Sequence, residues 1–302
     1  MGTDRGGVRI DDRGVGGVTR PAQTTRIDRS GVIRISFMTA NFVSRELGYE
    51  MSGGWGQGDH ATREWFRPTG TFRGRFEALL DEMVRLGFEA IDLWNAHLDP
   101  GWATDAHITQ ARDALHARGL RVASLAGGLG DSRQRLEATC RVAVALGAGV
   151  LAGGTPLLAD DRAFLVRTLE RHELVFGIEN HPERTPAEML AQIGDGAGGT
   201  IGTTVDTGWY GTQDYDAARA IDELAPHVVS VHLKDVRHAG MPHEACRYGQ
   251  GIVALRPCVE ALRRNGYTGM ISVEHEPENF DPSEDVRANC EMLGAWLADP
   301  PR

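Results

Sequence analysis

The stretch Phe176-Gly-Ile-Glu-Asn-His-Pro-Glu183, FGIENHPE, is an apolar run that ends in a carboxylate, an amide and an imidazole. A lone strand tip can carry a glutamate for solubility alone. Three later runs end the same way, however: Ile178-Glu179 is matched by Val205-Asp206, Val231-His232 and Val273-Glu274, each a β-branched residue followed by a side chain able to ligate a metal. Side chains alternate across a strand, so in every pair the β-branched residue faces one side and its successor the other. Two positions earlier, at the parity of the ligating residues, stand Gly177, Thr204, Ser230 and Ser272, all small enough to leave room. Four such tips can converge only if their strands run parallel and open at one end of a common sheet.

The rest of the chain supplies that sheet. The β-rich runs are VIRISFMT (32–39), FEAIDLW (88–94), LRVASLA (120–126), GVLAGG (149–154), LVFGIE (174–179), TIGTTVD (200–206), VVSVHLK (228–234) and GMISVEH (269–275). Amphipathic segments separate them, such as Phe72 to Leu86, where Phe76, Leu79, Leu80 and Met83 mark one helical face. Gly87, Gly119, Gly147 and Gly266 stand where helices should end before the next strand. Eight strand–helix alternations predict a closed (β/α)8 TIM barrel, with its active site at the C-terminal ends of the strands. An open doubly wound sheet would carry a G-x-G-x-x-G turn after its first strand. Here that strand runs into residues 38–66, MTANFVSRELGYEMSGGWGQGDHATREWF, which read as a long lid or binding loop with no immediate helix, carrying Trp55, Trp65 and Phe66.

The chain has 302 residues, 41% hydrophobic and 25% charged, which fits one α/β domain over residues 31–302. Residues 1–30 mix Gly, Arg, Asp and Thr with isolated aliphatics and read as a mobile tail. Acidic residues outnumber basic ones, 42 to 32, for a net charge of −10, which argues against nucleic acid as a partner. Cys140, Cys246, Cys258 and Cys290 form no C-x-x-C pair, and neither a membrane span nor a signal peptide is visible. A cytoplasmic protein with reduced thiols is expected, and a homo-oligomer is compatible with it.

Glu179, Asp206, His232 and Glu274 form an oxygen-rich set that suits Mn²⁺ first, then Mg²⁺ or Co²⁺, with Zn²⁺ less favoured by so few nitrogen and sulfur donors. Without a cation the three carboxylates would repel one another. This set resembles that of the xylose-isomerase-like TIM barrels, in particular the sugar phosphate isomerase/epimerase group that includes D-tagatose 3-epimerases and inosose isomerases. The resemblance covers about residues 31 to 298 and includes IDLWNAHLDP (91–100), HLKD (232–235) and GQG (249–251). It implies one divalent ion on the four residues, with Glu179 and Glu274 also acting as acid and base on opposite faces of a ketose. The chain departs from the group at Trp209, where relatives often carry histidine three positions after the aspartate, and at Asn180-His181-Pro182-Glu183.

Other candidates surround that set. His181, Lys234 and Glu276 share the inward parity of their neighbours. His181 reads as a general acid or base, or as a rim histidine bonded to a loop carbonyl. Lys234 reads as a holder of a substrate oxygen or enolate, or as a salt-bridge partner of Asp235 or Glu276. Arg237 is a candidate clamp for a hydroxyl, carboxylate or phosphate. Trp94 and His97 could wall the pocket, with Trp94 in the core as the alternative, and Trp209 and Glu276 complete the substrate-binding candidates. His243, Glu244 and Arg247 lie in an extended loop, and GQG reads as a tight turn.

The leading expectation is a metal-dependent isomerase or epimerase acting on a ketose, keto-inositol or related α-hydroxyketone through an enediolate. A lyase that uses the same proton abstraction to expel the aglycone of a 3-keto-glycoside is the alternative. A sugar-binding relic with a structural metal, or none, is the third.

Overall fold

The apolar runs pair with their neighbours until the last meets the first. In the computed structural model, which describes residues 1–2 and 33–300, the strands are β1 Arg34–Met38, β2 Ala90–Trp94, β3 Arg121–Gly128, β4 Val150–Gly154, β5 Val175–Glu179, β6 Ile201–Asp206, β7 Val228–Leu233, β8 Asp235–Val236, β9 Ala245–Cys246 and β10 Met270–Val273. All except β8 and β9 pair in parallel in the closed order β1-β10-β7-β6-β5-β4-β3-β2. The expected eight-stranded barrel is therefore observed. Apart from Met1 and Gly2, the segment read as a mobile tail lies outside the described residues.

The helices are α1 Trp55–Phe66, α2 Thr69–Arg85, α3 Asp105–Ala117, α4 Arg133–Leu146, α5 Leu157–Asp160, α6 Arg162–His172, α7 Pro186–Ile193, α8 Thr207–Thr212, α9 Ala217–Leu224, α10 Leu255–Arg264 and α11 Ser283–Ala298. Several begin at side-chain caps: Ser132 accepts from the Arg135 amide at α4, and Asp161 accepts from the Phe164 amide at α6. Gly147 closes α4 with φ 79°, a conformation that costs other residues strain, and Gly87, Gly119 and Gly266 also have positive φ. The stripe expected on α2 is buried, and it starts one turn earlier, at Phe72, because the helix begins at Thr69. Ile178, Val205, Val231 and Val273 all lie in the buried apolar core.

Two elements differ from the sequence reading. The extended loop after β7 contains a short antiparallel ribbon, β8 with β9, in which Asp235 pairs with Cys246. The segment read as a lid without a helix ends in α1, which carries Trp55, Trp65 and Phe66. Gly56 and Gly58 in its first turn lower the intrinsic helix propensity there, so tertiary contacts must hold α1 in place. Arg63 on α1 donates to Asp99 Oδ2 at 2.6 Å and to Asn95 Oδ1 at 2.9 Å, and the Trp55 ring lies 5.0 Å from the Trp94 ring.

Gly58 shows how tightly α1 is seated. A Cβ there would lie 2.3 Å from the Val43 carbonyl oxygen and 2.9 Å from Met51 Sδ. Alanine gains about 1 kcal/mol of helix propensity over glycine, but such crowding costs roughly 1–3 kcal/mol. The clash is with backbone, so it should prevail: Gly58→Ala is expected to lower the denaturation midpoint, as measured by urea unfolding.

Candidate metal centre

Four neighbouring strands, β5, β6, β7 and β10, carry Glu179, Asp206, His232 and Glu274 to the C-terminal mouth. One ligand atom from each lies within 4.8 Å of the others. Asp206 and His232 are at the same level, paired across β6 and β7. Glu179 and Glu274 stand at the ends of the two outer strands of the four, β5 and β10, and both carboxylates approach His232 Nδ1.

Buried amides fix the tips. Asn180 Nδ2 donates to the Asp206 carbonyl at 2.9 Å, while its Oδ1 accepts from the Asp206 amide at 2.8 Å. Asn41 does the same for β10: its Nδ2 donates to the Val273 carbonyl and its Oδ1 accepts from the His275 amide. Asp206 Oδ1 caps α8 by accepting from the amides of Gly208 at 2.7 Å and Trp209 at 3.0 Å, which leaves Oδ2 for the mouth. Gly177 keeps β5 close to β6, since a Cβ there would lie 2.3 Å from Thr204 Oγ1.

The His232 ring has two distinct edges. Nδ1 is 2.7 Å from Glu179 Oε1 and 3.6 Å from Glu274 Oε2, whereas Nε2 is 3.0 Å from Asp92 Oδ2. Asp92 Oδ2 also accepts from Ser272 Oγ at 2.9 Å, and Ser272 Oγ shares a hydrogen bond with Ser36 Oγ. A ligating imidazole commonly gives its second N–H to a carboxylate, and Asp92 is placed to accept it. Glu274 Oε2 is buried without a hydrogen-bond partner. With Nδ1 turned toward the same oxygens, the donor set fits one divalent cation.

Burial and charge oppose each other throughout the cluster. Burial pushes the Glu274 carboxyl well above the usual carboxylate range, against the pull of Lys234. Burial would lower His232, but the Glu179 and Glu274 carboxylates raise it well above an ordinary imidazole. For Asp206 the penalty of burial is outweighed by Lys234, and for Glu179 by His232, so both lie below the usual range.

Lys234 Nζ donates to Asp206 Oδ2 at 3.3 Å and to Glu276 Oε2 at 3.1 Å, and lies 3.2 Å from Glu274 Oε1. Of the two salt-bridge partners considered from sequence, it therefore takes Glu276. Asp235 is engaged elsewhere, because its carboxylate accepts from the amides of Gly249, Gly251 and Val253 and so organises the GQG turn. Arg237 Nε donates to Glu244 Oε1 at 2.6 Å in the exposed part of the ribbon. His181 meets the Trp209 ring edge-on at 4.6 Å, and Trp209 stacks on His243 at 4.1 Å. His243 Nδ1 contacts Thr212 Oγ1 at 2.7 Å, its Nε2 has no hydrogen-bond partner, and burial pushes the imidazole down to about 3.

The other half of the mouth is apolar. Met38, Trp94, Ala126 and Ala152, from β1 to β4, cluster with Ala40, Val43, Met51 and Ala96. Trp94 is buried in this wall and covered by Trp55. His97 is buried behind it, between Trp94 and Phe66, with Nδ1 against Thr39 Oγ1, and burial pushes its pKa down to about 3.

The family model for the xylose isomerase-like TIM barrel matches residues 80–296. The chain belongs to that family. L-ribulose-5-phosphate 3-epimerase UlaE of Shigella flexneri is 29% identical over 94 residues, which cover 31% of this chain and 32% of that protein. The match thus spans about a third of the length of that curated relative. Among solved structures, a D-tagatose 3-epimerase-like protein superposes with a TM-score of 0.64 at 15% identity, covering 88% of this chain and 97% of the other. The IolI protein, solved with a bound zinc atom, gives a TM-score of 0.64 at 13% identity over 88% and 98%. At these identities the likeness is one of fold. Among the described residues, no helix is long and apolar enough to cross a membrane.

Asp92 was not among the site candidates drawn from sequence, and His243 was placed there only in the extended loop, without an assigned role. Asp92 was detectable as the one carboxylate in the apolar run AIDLW, at the same parity as Trp94. His243 reaches the mouth only because β8 and β9 fold the extended loop back. Removing the acceptor behind a ligating histidine typically costs 10- to 100-fold in metal affinity. Asp92→Asn should accordingly weaken Mn²⁺ binding by about that factor, as measured by isothermal titration calorimetry, while the far-UV circular dichroism spectrum stays that of the parent.

Proposed function

We propose that the protein is a divalent-metal-dependent isomerase or epimerase of a ketose, keto-inositol or related α-hydroxyketone. The observation that carries this reading is the convergence of Glu179, Asp206, His232 and Glu274 within 4.8 Å at the mouth of a xylose isomerase-like barrel. One ion held by these four residues, Mn²⁺ by the oxygen-rich donor set, would supply the Lewis acidity that stabilises negative charge on vicinal sugar oxygens.

The chain's own groups do the rest. Glu179 and Glu274 approach from opposite ends of the ligand row, so one carboxylate can take the proton beside the carbonyl and the other can return one. Return on the opposite face inverts the centre, and return to the adjacent carbon isomerises the sugar. Lys234 and Glu276 offer a donor and an acceptor for substrate hydroxyls beside Glu274. Trp94 and the apolar residues around it offer a surface for the carbon face of the sugar. His181 and Trp209 line the approach beyond β5 and β6.

A second reading, elimination from a 3-keto-glycoside, is favoured by one observation. His181, Trp209 and His243 form an aromatic wall beside Asp206, suited to an aglycone. The proton abstraction is the same, but the pair of electrons leaves with the β-substituent.

Incubation with Mn²⁺ and a panel of ketoses in deuterium oxide should give recovered sugar labelled at the carbon beside the carbonyl, as detected by mass spectrometry. Release of an aglycone without labelled ketose would favour elimination instead. Chelation by EDTA should abolish exchange, and Mn²⁺ should restore it. Glu179→Gln and Glu274→Gln should each lower kcat by about 10²- to 10⁴-fold, the usual contribution of a positioned acid or base. Unchanged turnover in either variant would rule out the two-glutamate mechanism.

A further inference from the structure

Lys234 lies two residues beyond His232, at the same parity, and is 2% exposed. Its ammonium lies 3.3 Å from Asp206 Oδ2, 3.2 Å from Glu274 Oε1 and 3.1 Å from Glu276 Oε2. Two of these three carboxylates belong to the candidate ligand set, and the third does not.

The seat of this side chain is built into the fold. The Lys234 amide donates to Thr207 Oγ1 at 2.9 Å, and Thr207 Oγ1 donates to the Lys234 carbonyl at 2.8 Å. The aliphatic stem crosses the first turn of α8 at Gly208, where a Cβ would lie 2.7 Å from both Cγ and Cδ of the lysine. The ammonium is therefore held against the ligands by packing as well as by charge. A loose surface lysine could swing out to water when a second cation arrives, whereas the stem of this one is packed against α8 at Gly208.

We propose that Lys234 is the resident counter-cation of the centre: its fixed charge sets the affinity for the divalent ion and stabilises the carboxylates when the ion is away. This inference rests on the metal-dependent reading above. Buried carboxylates at this spacing need a positive charge nearby, and Lys234 provides one to Asp206 and Glu274. The same charge repels any cation that these oxygens hold, so it trades stability of the metal-free protein against tightness of binding. Glu276 completes the arrangement as the one partner that the ion does not claim, and it keeps the ammonium paired when Asp206 and Glu274 serve as ligands.

The test uses Mn²⁺ alone as the probe, with calorimetric titration and thermal unfolding of the full chain. Repulsion between charges a few ångströms apart in partly screened surroundings is worth on the order of tenfold to a hundredfold in affinity. Lys234→Met should therefore bind Mn²⁺ at least about tenfold more tightly than the parent. Its melting temperature without metal should fall, and the rise on adding Mn²⁺ should exceed that of the parent. Lys234→Arg, which keeps the charge, should stay close to parental affinity. Equal or weaker Mn²⁺ binding by Lys234→Met overturns the proposal. If that variant is unfolded without metal, recovery of the fold on adding Mn²⁺ supports the proposal, and failure to recover overturns it. If the folded parent and Lys234→Met both bind no Mn²⁺, the metal reading itself falls; if both bind equally, only the role of Lys234 does.

Discussion

Buried carboxylates at one barrel mouth repel each other, and the local architecture is arranged around cations that offset this. Glu179 and Glu274 lean on His232, while Asp206, Glu274 and Glu276 lean on Lys234. Water would screen such charges at a surface, but at these strand tips it is largely excluded, so each charge must have a partner or give up its ionisation. Asp92 behind His232 and the amide clamps Asn41 and Asn180 serve the same end, because they prevent the ligands from relaxing apart. The rigid barrel thus holds the four ionisable groups of the mouth together against the mutual repulsion of the carboxylates.

The barrel also divides its mouth by chemistry. Strands β5, β6, β7 and β10 present the four candidate ligands, whereas β1 to β4 present Met38, Trp94, Ala126 and Ala152. A sugar has both kinds of surface, hydroxyls at its edge and C–H groups on its face, and this division can meet both at once. Helix α1 closes the apolar side through Trp55 over Trp94, and the β8–β9 ribbon closes the polar side through His243 over Trp209. The segments that follow β1 and β7 therefore shape the opening, which agrees with the general rule that barrel chemistry is varied through its loops.

The barrel was legible in the sequence because parallel, buried strands leave short β-branched runs, and the glycines between them mark helix ends. The four tips were legible because strand alternation fixes parity: Val205 outward requires Asp206 inward, whatever the rest of the chain does. Asp92 obeys the same parity but stands mid-strand rather than at a tip, and its role depends on pairing across the barrel with Ser272 and His232, which no local pattern encodes. Helix α1 was hidden because its glycines oppose helix formation and Gly58 is chosen for contact with Val43, a tertiary reason. Lys234 showed its parity but not its partner, since the choice between Asp235 and Glu276 was decided by the backbone amides that occupy Asp235.

Anomalous diffraction from crystals grown with Mn²⁺, recorded at the manganese absorption edge, would locate a bound ion among these side chains. A single strong peak per chain is expected at coordination distance from Glu179, Asp206, His232 Nδ1 and Glu274. A peak elsewhere, or none when calorimetry shows Mn²⁺ bound, would contradict this assignment of the ligands.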